Sequence, residues 1–456
     1  MIIDETRLLD FLTGKGFRPP REALARAHLV VTDVLCAAAA GSAIPDVQAA
    51  VGALVADPGP CTLIGCGRTV SPGQAAMVNT VLAIAQETEE GHNTAGHVGA
   101  ATVAGALAAA EEVGADGASL LDAVLRAYEV CARVERLMMP AKARTSAATS
   151  WIIRNPHSTW TAVGPALAAA LLWRLDREAL RAAWRLATNL AVLSLWDPFV
   201  EGSLSRNLTA GLSAQAALSA ARLAQAGMEG SAEALWGIYT PLRAETGPES
   251  FDRWFASLGQ TYEITRGYFK PYPSCRYTHP PLDALRSIGD DVTPEAVERI
   301  EVHTFGAAAP FAHQRAPTST SAKFSIPFVL AAYLVLGRVD FESFSEASLC
   351  DARIQGLARR VVIRVDEEIE ARFPHQWGAR VVVSLRDGRT LTGEVADPLG
   401  GPQRPLAGGE LRARHRAALE QRFDPSQTEA VAAALDRLPG MASVRSLGEV
   451  LRGAGT

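Results

Sequence analysis

Lysine is the scarcest charge in this chain. Only Lys15, Lys142, Lys270 and Lys323 occur among 44 basic residues, the rest being arginine. An ammonium can titrate and acts as a compact point charge where a guanidinium does not, so a lysine kept inside a conspicuous motif invites a chemical explanation. Other absences exclude whole classes of function. Against 44 Lys plus Arg stand 49 Asp plus Glu, a net charge of −5, with no basic stretch interleaved with aromatics, so nucleic acid is not an expected partner. The longest apolar run, 160–173, closes on Arg174 and falls short of the roughly twenty residues a bilayer needs; it reads as a buried helix, and no membrane partner is expected. The first residues carry acids where an export signal carries bases, and the six cysteines are scattered, Cys61 and Cys66 being spaced for neither a zinc knuckle nor a redox pair. A cytoplasmic protein with reduced thiols is the expectation. No glycine-rich phosphate loop follows a strand, and neither a nucleophile elbow nor an HExxH helix occurs.

A chain of 456 residues exceeds what one core accommodates, so two domains are expected. Up to about residue 258 the apolar spacing is helical: 22–40, 71–85, 103–113, 118–139, 161–175, 177–193, 209–226 and 249–258. The pattern then changes. Segments 262–269, 297–305 and 360–366 read as strands, and 379–385 with 390–395 reads as a hairpin around Asp387-Gly388. Helices at 277–288 and 322–336 lie between them, and three more follow at 409–423, 428–438 and 446–452. The expected fold is mainly α: a large all-α domain from 1–261, an α+β lid domain from 262–396, and C-terminal helices, 397–456, packing back on the first domain.

What is present is a polar, glycine-bearing interruption between two apolar helices. Glu87, Glu89, Glu90, His92 and His97 fall within eleven residues, broken by Gly91, Gly96 and Gly99. Acids and imidazoles at this density suit proton transfer, although a solvated loop would look the same. The two histidines lack regular helical spacing, so no metal is expected. A second cluster, 268–279, places Lys270 before two prolines and then Ser274, Arg276 and His279 at a helix entrance, a set of donors suited to carboxylate. His157 precedes the buried helix beginning at 161, and Arg206 stands at the entrance of another.

These stretches together resemble the MmgE/PrpD family: ALARAHLVVTDVLCAAAAGS, EGHNTAGHVG, KPYPSCRYTHPPLDA, SAKFSIPFVLAAYLVLGRV and SLRDGRTLTGEVADPLGGPQRPL. The family includes 2-methylcitrate dehydratase, cis-aconitate decarboxylase and iminodisuccinate epimerase. The resemblance implies a homodimer and an active site between the two domains that uses neither metal nor cofactor. It implies that His97 is the motif histidine of the loop, Lys270 the lysine of the lid and His279 the histidine after it, with His157 close to a second family histidine. Three departures stand out. The family's usual Asp-Phe-Asp-Asp-Thr is here Glu87-Thr88-Glu89-Glu90-Gly91, Arg206 stands for a lysine, and Phe328 stands for a tyrosine, deleting a hydroxyl.

The expected function is that of a cofactor-independent lyase, of dehydratase or decarboxylase type, acting on a small carboxylate-bearing substrate. His97 and His157 would serve as acid and base, Lys270 and Arg206 would hold carboxylate, and Glu87 or Glu90 would orient an imidazole. Ser274, Arg276, His279, His92 and Phe328 would line the substrate. An isomerase or epimerase using the same proton abstraction, and a catalytically silent binding protein, are the rival readings.

Overall fold

The computed structural model describes residues 4–139, 161–190, 201–237, 248–289 and 291–453. It is mainly helical with a smaller α+β part. The helices Pro72–Ala85, Val98–Val113, Val163–Leu172 and Ser205–Gln225 pack on one another, with Arg21–Gly41 and Gly117–Leu137 against them. Alanine and glycine dominate their faces, which lets backbones approach closely; a methyl added at Gly41 would lie 1.9 Å from the Leu82 carbonyl oxygen. The breaker at 114–117 works as its residues dictate. Gly114 ends one helix in the left-handed conformation, and the Asp116 carboxylate accepts from Ser119 N to cap the next.

Arg21–Gly41 is also long and apolar enough, by length and composition, to cross a membrane, which the run at 160–173 is not. Two thirds of its most apolar stretch is buried inside the protein, and its Asp33 meets His415 at 2.9 Å and Arg414. It is a core helix.

Apolar side chains gather in two cores. One runs from Leu8 to Phe269 and resumes at Leu411 through Leu451; the other spans Tyr272 to Leu385. The second is built on a four-stranded sheet ordered Val361–Val365, Val297–Thr304, Ala379–Leu385, Thr390–Val395. The first pair is parallel and the others antiparallel, with Val302 opposite Val381 and Val383 opposite Leu391. Alternation places Ala379, Val381, Val383 and Leu385 inward, and Gly388 at φ +88° closes the expected hairpin.

Two expected elements differ. Segment 262–269 is not a strand: Glu263–Arg266 is a 3₁₀ turn, and only Gly267–Tyr268 is extended. The backbone N–H groups of Glu263 and Ile264 both donate, at 2.8 Å, to the buried Glu129 carboxylate, which removes them from any ladder. The single helix expected over 322–336 is two, Ser319–Lys323 and Ile326–Leu336, because Ser325 caps the second through Phe328 N and Pro327 sits in its first turn.

Candidate active site

Gly91–His92 pairs antiparallel with Gly267–Tyr268, and this short ladder joins the polar loop of the first core to the chain entering the second. A cavity of about 320 Å³ opens beside it. Glu87, His92, His97 and Arg206 line one part, and Arg276, Tyr268, Phe324 and Trp377 line another.

The loop is held from behind. Glu90 is buried; its Oε1 accepts from Gly99 N at 2.8 Å, capping the Val98–Val113 helix, and its Oε2 accepts from Tyr128 Oη at 3.2 Å. A side chain at Gly99 would strike that carboxylate, with Oε1 2.0 Å from the added carbon. Gly91 is equally constrained, its added methyl meeting Tyr268 Oη at 2.4 Å. The Tyr268 ring occupies the space that a side chain at position 91 would need. From the C-terminal helix Gly408–Leu419, Arg414 Nη1 donates to Thr88 O at 2.7 Å.

Four side chains form a buried network of charge. Glu87 adopts φ 56°, unusual for a residue with a side chain. Its Oε1 pairs with Arg206 Nη2 and its Oε2 lies 3.1 Å from Lys270 Nζ. Lys270 Nζ also lies 3.4 Å from Glu89 Oε1. Burial opposes ionisation of Glu87, yet Arg206, Lys270 and His97 outweigh it and hold the carboxyl below its usual range. Burial likewise disfavours the Lys270 ammonium, and Glu87 with Glu89 raise it above the ordinary lysine value.

The two loop histidines are fixed in opposite tautomers. His97 Nδ1 lies 3.0 Å from Glu90 O and 3.1 Å from Glu89 Oε1, both acceptors, so this nitrogen carries hydrogen and Nε2 is the basic nitrogen of the neutral ring. His92 Nδ1 instead accepts from the N–H groups of Thr94 and Ala95, at 3.2 and 3.1 Å, which puts hydrogen on Nε2, 3.2 Å from Glu263 Oε2. Burial lowers the His92 pKa. Burial also opposes ionisation of Glu263, but His92 and Arg136 draw its carboxyl down to about 2.

Of the expected site residues, the structure brings Glu87, His92, His97, Arg206 and Arg276 to one cavity. Lys270 stands behind Glu87, fully buried. Glu90 does not orient an imidazole through its carboxylate; the backbone carbonyl of Glu90 and the carboxylate of Glu89 do so. Ser274, His279 and Phe328 are buried off the cavity rather than lining it. Ser274 Oγ bonds Thr278 Oγ1 at 2.8 Å, His279 Nε2 donates to Ser274 O at 3.1 Å while its Nδ1 faces Arg276 Nη1, and Phe328 packs on Phe344. His157 lies outside the described residues. Arg136, Glu263, Trp254, Trp377 and Tyr268 join the site without a local signal, except that Tyr268 stands two residues before Lys270.

Lys323 is buried, its Nζ bonded to the Gln86 side-chain carbonyl, and desolvation pushes its pKa down to about 8 despite Glu87. All six cysteines are free thiols. Among the described residues no group of three or more His, Cys, Asp or Glu side chains is arranged to hold a metal ion.

The arrangement supplies an imidazole with a fixed tautomer, anchored carboxylates behind it and guanidinium groups around it, which suits moving a proton next to a carboxylate. The MmgE/PrpD N-terminal domain model matches residues 7–252, and the MmgE/PrpD C-terminal domain model matches 272–438. The cis-aconitate decarboxylase of Aspergillus terreus is 24% identical over 460 aligned positions, covering 94% of this chain and 92% of the relative. A cis-aconitate decarboxylase-like protein, oryM, of Aspergillus oryzae is 25% identical, covering 95% of this chain and 94% of the relative.

Proposed function

This chain belongs to the MmgE/PrpD family, and from that premise we propose that it is a lyase of dehydratase or decarboxylase type that acts on a small carboxylate-bearing substrate by proton transfer, without a cofactor. The observation that carries the reading is His97, a cavity-lining imidazole whose Nδ1 faces Glu90 O and Glu89 Oε1 and so carries hydrogen, which makes Nε2 the basic nitrogen of the ring. The full-length relatives named as cis-aconitate decarboxylases support the reaction type. In this reading Arg276 holds carboxylate, while Arg206, Glu87 and Lys270 set the field in which enolate-like charge is stabilised. His157 is the candidate partner for the second proton, and the homodimer that the family resemblance implies belongs to the same reading.

Carbanion chemistry beside a carboxylate serves elimination, decarboxylation and epimerisation alike. Incubating the protein in D2O with a panel of unsaturated and hydroxy acids, cis-aconitate included, and following the products by proton NMR separates them. Formation of an alkene or loss of CO2 is the expected result. Deuterium entering recovered acid or its epimer, with neither alkene nor CO2 formed, would make the protein an isomerase; an inert panel would favour the silent binding protein.

A further inference from the structure

Charge is distributed unevenly around the cavity. Arg206 faces Glu87, and Arg136 lies 2.5 Å from Glu263, so each of these guanidinium groups meets a carboxylate. Arg276 does not. Its Nη1 donates to Leu399 O at 2.6 Å and contacts His279 Nδ1 at 3.1 Å, and its Nη2 donates to Pro398 O at 3.2 Å. The carbonyls are uncharged, and burial together with Arg276 keeps His279 neutral. Asp283 and Asp397 act on Arg276 from beyond ion-pair distance and are engaged by Tyr272 and by Trp377 N. Arg276 Nε has no hydrogen-bond partner among the described residues, although the side chain is only 3% exposed. Arg276 lines the cavity, and a guanidinium whose protein partners are all neutral can offer N–H to a carboxylate.

Beside it the lining is aromatic: Trp254, Tyr268, Tyr277, Phe324, Phe373 and Trp377. Tyr277 and Trp377 lie 4.9 Å apart, Phe373 and Trp377 5.8 Å, Tyr268 and Trp377 6.4 Å, each between ring centroids. Such a wall attracts a flat apolar body. Among the described residues the other cations beside these rings, Arg206 over Phe324 and Arg136 over Trp254, each already meet a carboxylate, so a second or third carboxylate would find no unbalanced cation among them. The volume of about 320 Å³ also exceeds what a compact polyacid fills and reaches the range, roughly 300–1,000 Å³, of pockets for larger ligands. Tyr268 links the two functions of the cavity. Arg276 Cζ lies 4.5 Å over its face, and the His97 ring stands edge-on at 6.3 Å.

We propose that the substrate is a monocarboxylate bearing an aryl or similarly flat apolar group, not a di- or tricarboxylate. Its carboxylate sits on Arg276, its apolar body lies on the wall formed by Tyr277, Phe373 and Trp377, and its reacting carbon turns toward His97. The inference rests on the reading of His97 as the acid/base for the orientation of the substrate, but not for its class.

Isothermal titration of the full-length protein with 3-phenylpropanoate and with propane-1,2,3-tricarboxylate tests the class directly. Phenylpropanoate is expected to bind at least about tenfold more tightly. Arg276→Gln should remove most of that affinity, and Phe373→Leu should weaken it several-fold while lowering the melting temperature by no more than about 4 °C. Equal or tighter binding of the tricarboxylate, or no binding of phenylpropanoate at millimolar concentration, overturns the proposal. The wild-type comparison stands even if Arg276→Gln does not fold. The outcome is separable from the reaction: aryl acids that bind but never exchange or lose a group would leave the substrate class standing and sink the lyase reading, whereas turnover of a tricarboxylate would do the reverse.

Discussion

The two sides of the cavity are built on opposite principles. On the side of the first core, Glu87, Glu89, Lys270, Arg206 and His97 crowd charge of both signs into a buried network in which each ion meets its opposite. On the side of the second core, one arginine with neutral partners stands among aromatic rings. Balanced charge can hold a proton donor in place without attracting ligand, and an unbalanced cation attracts ligand without moving a proton. In the proposed reading, chemistry belongs to the first side and selection to the second.

Removing one partner from the balanced side should have the largest effect on stability. Glu87→Ala leaves Lys270 and Arg206 buried with a charge uncompensated, and a loss of about 3–5 kcal/mol in urea unfolding is expected. A loss under about 1 kcal/mol would mean that the network is wetter than its burial implies. Next comes Glu90, whose carboxyl burial pushes up to about 7 from an ordinary 4.5. The folded state therefore keeps a proton that the unfolded state has lost, and stability falls as pH rises from about 4.5 to 7, then levels. Glu90→Gln retains an acceptor for Gly99 N and a polar contact for Tyr128 and cannot ionise. Its melting temperature relative to wild type should therefore rise between pH 5 and pH 8, corresponding to at most about 3 kcal/mol. A difference independent of pH would place Glu90 outside this account. The smallest effect belongs to the aromatic side. Half-buried Phe373 stacks on Phe305 at 4.5 Å, so Phe373→Leu should cost about 1 kcal/mol or less in stability and show itself in ligand affinity. A larger loss of stability than of affinity would erase the distinction between the two sides.

Much of this was legible in the sequence because it depends on local signals. Gly114 and Asp116 mark a helix boundary, Asp387-Gly388 marks a hairpin, and the glycine-broken run of acids and histidines marks one wall of the cavity. The residues that escaped are joined over long separations. Glu129 takes the N–H groups of Glu263 and Ile264 and so turns an alternating segment into a 3₁₀ turn, and no local pattern carries that information. The same is true of the cluster His92, Glu263 and Arg136. Within the loop, the acids could be counted but not aimed. Their directions follow from the positive φ of Glu87 and from the capping of Gly99 by Glu90, which leaves Glu89 for His97. Ser274, His279 and Phe328 share motifs with residues that do reach the cavity, and motif membership does not distinguish a lining side chain from one behind it.

In the proposed reading His97 works through Nε2 while Nδ1 is committed to the wall. His97→Asn retains an N–H close to the position of Nδ1 and deletes Nε2, which makes it the most direct test. The rate of product formation on whichever acid of the panel the wild type consumes should fall by about 10²–10⁴ with ligand affinity within about twofold. A His97→Asn protein that folds and turns over at the wild-type rate would contradict the account.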